Sequence, residues 1–173
     1  MRQGWTAIVV AGFALASTAA RAETGRAVIQ ATADGSQVTG SAILTDTSDG
    51  LTVSIQVANI PPGKHGLHIH QYGLCEDHGN AVGGHFNPDG VPHGLLLTDG
   101  FAHAHAGDLG DIEIGPDGTG SLSLVLPGLT VSGGKYGVAG RAIILHEKVD
   151  DFGQPTGNAG GRIGCGSILI VKG

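Results

Sequence analysis

Residues 51–60, LTVSIQVANI, constrain the fold more than any other stretch. Leu51, Val53, Ile55 and Val57 alternate with Thr52, Ser54 and Gln56. Successive side chains of a strand point to opposite faces, so this segment is a strand with one buried and one solvated face. Pro61-Pro62-Gly63 stops it. The same grammar recurs along the chain. RAVIQATA ends at Ala33-Asp34-Gly35, and QVTGSAILT ends in the cluster from Asp46 to Gly50. DIEIGPDGTGSLSLVL has a hairpin pattern with Pro116-Asp117-Gly118 at its turn. GRAIILHEK and CGSILIVK complete a set of about eight strands, with no helical periodicity between them. These signals predict an all-β antiparallel barrel or sandwich.

Two stretches break the pattern. About 40 residues after Ile69 and the run KVDDFGQPTGNAGGRIG lack periodicity. Long irregular loops on a rigid sheet are where chemistry is usually placed. Eight of the nine histidines lie between His65 and Asp108, and His146 ends a later strand. In GLHIH, His68 and His70 share one strand face and Leu67 and Ile69 the other. Adding His85, His93, His105, His146 and Asp108 gives six imidazoles and one carboxylate. One tetrahedral metal cannot use seven donors, but two metals can. Four nitrogens suit copper(II), and three nitrogens with a carboxylate suit zinc. Four plus four requires one shared residue, and a deprotonated imidazole offers both ring nitrogens.

The amino terminus follows a different pattern. Arg2, an apolar run from Trp5 to Ala16 and the A-x-A-like Ala20-Arg21-Ala22 predict a cleaved signal peptide over residues 1–22 and a single domain over 23–173. The destination is periplasmic or secreted, with no membrane association after cleavage. The two cysteines, Cys75 and Cys165, then have one possible pairing in an oxidising compartment. A formal charge of −6 argues against nucleic acid or an anionic membrane surface as partner.

In order, HGLHIHQYG, GGHFNP, PHG, HAGDLGDI, GRAIILHEKVDD and GNAGGRIGCG resemble the copper/zinc superoxide dismutases. The likeness spans roughly Ala27 to Val171. It implies an eight-stranded Greek-key barrel with two long functional loops, and one copper and one zinc per subunit. By position, His68, His70, His85 and His146 match the copper ligands. His85, His93, His105 and Asp108 match the zinc ligands, with His85 as the bridge. Asp150 matches the carboxylate that holds a ligand histidine on each metal. Arg162 matches the arginine that docks the anion, and Cys75 and Cys165 match the intrasubunit disulfide. The implied activity is dismutation of superoxide to oxygen and hydrogen peroxide in antioxidant defence, with Arg162 and His85 as the catalytic residues. The alternative is a non-catalytic periplasmic metal-binding module of the same fold. His65, Arg141, His78 and His103 read as structural or solvated.

The pattern departs from the familiar animal and plant enzymes in three places. His146 and Arg162 are only 16 residues apart, and Gln154-Pro155-Thr156 stands where charged guiding residues would lie. The stretch from Cys75 to His85 is longer. Leu95-Leu96-Leu97 is inserted between zinc ligands, either as a contact for a second subunit, making a homodimer, or packed beneath the loop. With the leader, these lengths point to a bacterial exported member of the family.

Overall fold

The structure, a computed structural model, describes residues 22–172. The expected leader falls on residues 1–22 and lies, but for its last residue, outside them. Nine strands follow in order: β1 Thr24–Ala31, β2 Thr39–Thr47, β3 Gly50–Ala58, β4 Gly63–His70, β5 Asp108–Ile114, β6 Gly120–Leu126, β7 Ala142–His146, β8 Arg162–Ser167 and β9 Leu169–Ile170. The spatial order is β2-β3-β6-β5-β4-β7-β8-β1-β9, and a β1–β2 pairing closes the first eight into an antiparallel barrel. The connections β3→β4 and β6→β7 each skip two strands, which is the Greek-key feature. Two-residue β9 is an appendage on β1. The expected final strand is thus split, at Ile168, which turns into the core.

The barrel interior is filled by the apolar half of each alternating strand. Leu51, Val53, Ile55 and Val57 of β3 meet Leu67 and Ile69 of β4, Ile112 and Ile114 of β5, and Ile143 and Leu145 of β7 in one core. β4 from Gly66 onwards and all of β7 are buried on their outer faces as well. The loops from Gln71 to Gly107 and from Glu147 to Gly161 cover them. Ala142 and Ile144 pack outside the barrel with Val82 and Cys165. The covering loops have little regular structure, a 3₁₀ segment Asp77–Val82 and one helical turn, Leu96–Asp99. That turn accounts for much of the leucine insertion. Leu96 belongs to the main core, and Leu97 stays exposed beside Val125.

Two irregularities in pairing aim residues at the outer face of β4 and β7. Gly66 pairs with Asp111 but His68 pairs with Asp108, so β5 carries an extra residue there. Leu145 pairs with Gly164 but His146 with Arg162, so β8 carries one too. Such bulges redirect side chains. Here they bring Asp108 opposite His68 and Arg162 opposite His146.

Candidate metal centre

His68, His70 and His146 project from the outer faces of the neighbouring strands β4 and β7, where the covering loops bury them. His85 joins them from the first loop. Its segment is tied to β4 through a bridge between His70 and His85 and through Phe86 N–H donating to Ile69 O at 2.8 Å. Gly107 threads the same crossing. A β-carbon there would sit 2.1 Å from Ile69 O, so only glycine fits.

His68, His70 and His146 each have one ring nitrogen occupied and the other bare. His68 Nε2 is held by Asp150 Oδ2 at 2.8 Å, His70 Nδ1 by Gly83 O at 3.0 Å and His146 Nδ1 by Gly160 O at 3.3 Å. These acceptors fix the proton on the bonded nitrogen. His68 Nδ1, His70 Nε2 and His146 Nε2 are left buried with no hydrogen-bond partner. Burying a bare nitrogen is costly unless something takes its lone pair. His93 repeats the pattern. Its Nε2 meets both Asp150 oxygens at 3.0 Å, and its Nδ1 lies 2.9 Å from Asp108 Oδ2 without hydrogen-bond geometry.

The donors fall into two groups of four, and a third set, His68, His93 and Asp150, is the hydrogen-bonded link between them. His68, His70, His85 and His146 converge in one, and His85, His93, His105 and Asp108 in the other, with each group's donor atoms within 4.8 Å of one another. His85 belongs to both. Its Nδ1 lies 2.9 Å from Asp108 Oδ1 and 3.4 Å from His105 Nδ1, leaving Nε2 to the first group. Tetrahedral zinc with bonds of about 2.0 Å has ligand atoms about 3.3 Å apart. In the second group the His85, His105 and Asp108 donor atoms lie 2.9, 3.1 and 3.4 Å apart, and the composition is that of a zinc site. The four-nitrogen first group suits copper.

Electrostatics agree with the division. Burial, with Arg162 adding to it, pushes His70 down to about 2 and His146 to about 3, and burial pushes His85 to about 4. They are neutral at physiological pH, the state in which an imidazole can ligate a metal. Burial opposes charge on His93 too, but Asp108 and Asp150 outweigh it and raise the imidazole to about 9. Burial would raise both carboxyls, yet hydrogen bonds from His105 and His85, with the His93 imidazole 2.9 Å away, hold Asp108 well below the carboxylate range, and hydrogen bonds from His68 and His93 lower Asp150. A cation between these groups would take over the proton's role in that network.

A family model described as copper/zinc superoxide dismutase matches residues 38–168. The chain belongs to the copper/zinc superoxide dismutase family. Among solved structures, that titled "Crystal Structure Analysis of the clock protein EA4" is similar with a TM-score of 0.77 and 32% identity, covering 91% of this chain and 100% of that chain. The family's eight-stranded barrel and metal-binding histidine clusters are both present here.

The seven donor residues expected from the sequence make up the two groups, and Asp150 hydrogen-bonds a histidine of each. Arg162 donates to Gly79 O at 2.5 Å and to Gly83 O at 2.7 Å, and Gly83 O also accepts from His70. The guanidinium is thereby set at the edge of the first group. Cys75 and Cys165 form a disulfide that fastens the same loop to β8. The set-aside residues behave as structural ones. His65 is buried between His146 O and Pro61 O, at 2.9 Å from each. Arg141 binds Gly137 O and Gln71 O and lies over the Phe86 ring. His78 is exposed and bonds Thr32 O, and His103 is exposed. Sequence reading missed Asp111, which accepts from Asp150 N–H at 2.8 Å and so steadies the shared carboxylate. Its one signal was an acid three residues after Asp108 on the same strand.

Proposed function

We propose that the protein dismutates superoxide, holding copper on His68, His70, His85 and His146 and zinc on His85, His93, His105 and Asp108. The observation that carries this reading is the sharing of His85 between two donor groups with Arg162 at the edge of one. Bound copper would supply a one-electron couple that takes an electron from one superoxide and gives it to another, and zinc would supply fixed charge. Arg162 attracts and orients the anion with a guanidinium that the carbonyls of Gly79 and Gly83 hold in place. His85 holds a proton on Nε2 when that atom is not ligating and gives it to the reduced oxygen species. Two superoxide ions and two protons, the second from water, yield oxygen and hydrogen peroxide. Asp150 orients His68 and His93 together. We further place the protein among the bacterial exported members of the family. The leader-like first 22 residues and the disulfide support a periplasmic or secreted location. Leu97 offers one exposed apolar contact to a second copy.

The second reading, a non-catalytic copper/zinc-binding module, draws on the likeness to a structure titled as a clock protein. Superoxide decay separates the two. Protein loaded with copper and zinc should speed decay, and zinc-only or metal-free protein should not. If copper binds and decay stays at the zinc-only rate, the catalytic reading fails and the module stands.

A further inference from the structure

The loop from Glu147 to Gly161 has lost the charged residues expected at its tip, and Gln154 there does something else. His93 N–H donates to Gln154 Oε1 at 3.0 Å, and Gln154 Nε2 donates to His93 O at 2.9 Å. A side-chain amide thus pairs with both main-chain groups of one residue, as a peptide unit does in a β-ladder. Its partner is a member of the second donor group.

Among the described residues, the other bonds of 152–157 stay within the loop: Phe152 N–H to Asp150 Oδ1, Gly153 N–H to Asp151 Oδ1, Gly157 N–H to Gly153 O and Asp151 N–H to Gly157 O. The loop also holds Phe152 at φ 58°, a region disfavoured for a bulky side chain. That conformation lays the Phe152 ring parallel to His93, with centroids 6.3 Å apart. Gly157 presses against the other side. A β-carbon there would fall 1.9 Å from Asp150 Oδ1 and 2.7 Å from His93 Nε2. His93 is therefore enclosed by Phe152, Asp150 and Gly157, and Gln154 fixes the register of all three against it.

We infer that Gln154 is a positioning residue for the zinc site, a two-point clamp that locks the loop's tip onto ligand His93. Zinc bound at His85, His93, His105 and Asp108 then orders the tip, and an ordered tip in turn holds zinc. The inference rests on the zinc reading of that group. It assigns the uncharged tip a mechanical role in place of a steering one.

The test compares wild type with Gln154→Met, which keeps the side chain's length without its hydrogen bonds, and with Gln154→Ala. Zinc affinity is read by competition with a chromophoric chelator, and tip order by amide hydrogen exchange with and without zinc. Outer partners of ligand histidines typically contribute about 10–100-fold in affinity. Both variants should bind zinc about tenfold more weakly, and zinc should protect amides 151–158 in wild type but much less in the variants. Copper affinity at the first group and the melting temperature of the metal-free protein should be unchanged. If the variants match wild type in zinc affinity, or lose copper affinity and metal-free stability equally, the clamp is refuted while the zinc site stands. If wild type itself takes up no zinc, the reading beneath the inference fails with it.

Discussion

At the scale of single residues, the site works by fixing which nitrogen of each histidine is bare. The acceptors doing this are main-chain carbonyls of the covering loops for His70 and His146 and a carboxylate for His68 and His93. Burial keeps His70, His85 and His146 neutral, which has a consequence for the metal-free protein. His70, His85 and His146 have folded pKa values of about 2, 4 and 3, all below the ordinary histidine value of 6.5. The unfolded chain therefore binds more protons than the folded one below pH 6.5, so stability falls with pH from there towards pH 3. His93, raised to about 9, acts the other way: its contribution is complete below pH 6.5 and is lost as pH rises through 9. Metal-free protein should be most stable near neutrality. By pH 4, His85 alone should cost on the order of 3 kcal/mol. Thermal melts across pH, with and without chelator, check this. Metal-loaded protein should hold its melting temperature further into acid, because bound metal competes with the protons.

At the scale of elements, some of this was legible in the sequence and some was not. The alternation of β3 and β4, a local pattern on strands, specified which residues face the core, and the histidine motifs named the residues that the two donor groups bring together. The bulges in β5 and β8 have no periodic signature, yet they decide that Asp108 faces His68 and Arg162 faces His146. Gln154, Gly157 and Asp111 act on main-chain or carboxylate groups far away in sequence, and such contacts leave no spacing to read. The leucine insertion was ambiguous because an apolar run does not say what covers it; Leu96 turned inward. The disulfide was readable from two cysteines alone, and its placement gives a second prediction. It closes a loop of 90 residues and pins the segment whose carbonyls hold Arg162. Chain entropy puts its contribution at about 4–5 kcal/mol. Reduction should lower the melting temperature by on the order of 10–20 °C in calorimetry. It should also slow superoxide decay at temperatures where the barrel remains folded, because Arg162 loses its anchorage.

At the scale of the whole molecule, charge sets a conflict. The chain carries a formal charge of −6, which would repel the proposed anionic substrate at long range, while Arg162 would attract it at the first donor group. The uncharged tip at Gln154 leaves Arg162 carrying more of the attraction. Salt distinguishes the two influences. At 0.1 M ionic strength, interactions between exposed charges fade beyond about 10 Å. If the local attraction governs encounter, salt should slow the wild-type reaction. In Arg162→Ala the repulsive background remains, so the rate should drop by on the order of tenfold and its salt dependence should flatten or reverse. Superoxide decay by copper- and zinc-loaded wild type and variant, between about 10 mM and 0.3 M salt, measures both slopes. Two parallel slopes would mean that guidance comes from charges elsewhere on the barrel, leaving Arg162 a role in docking alone.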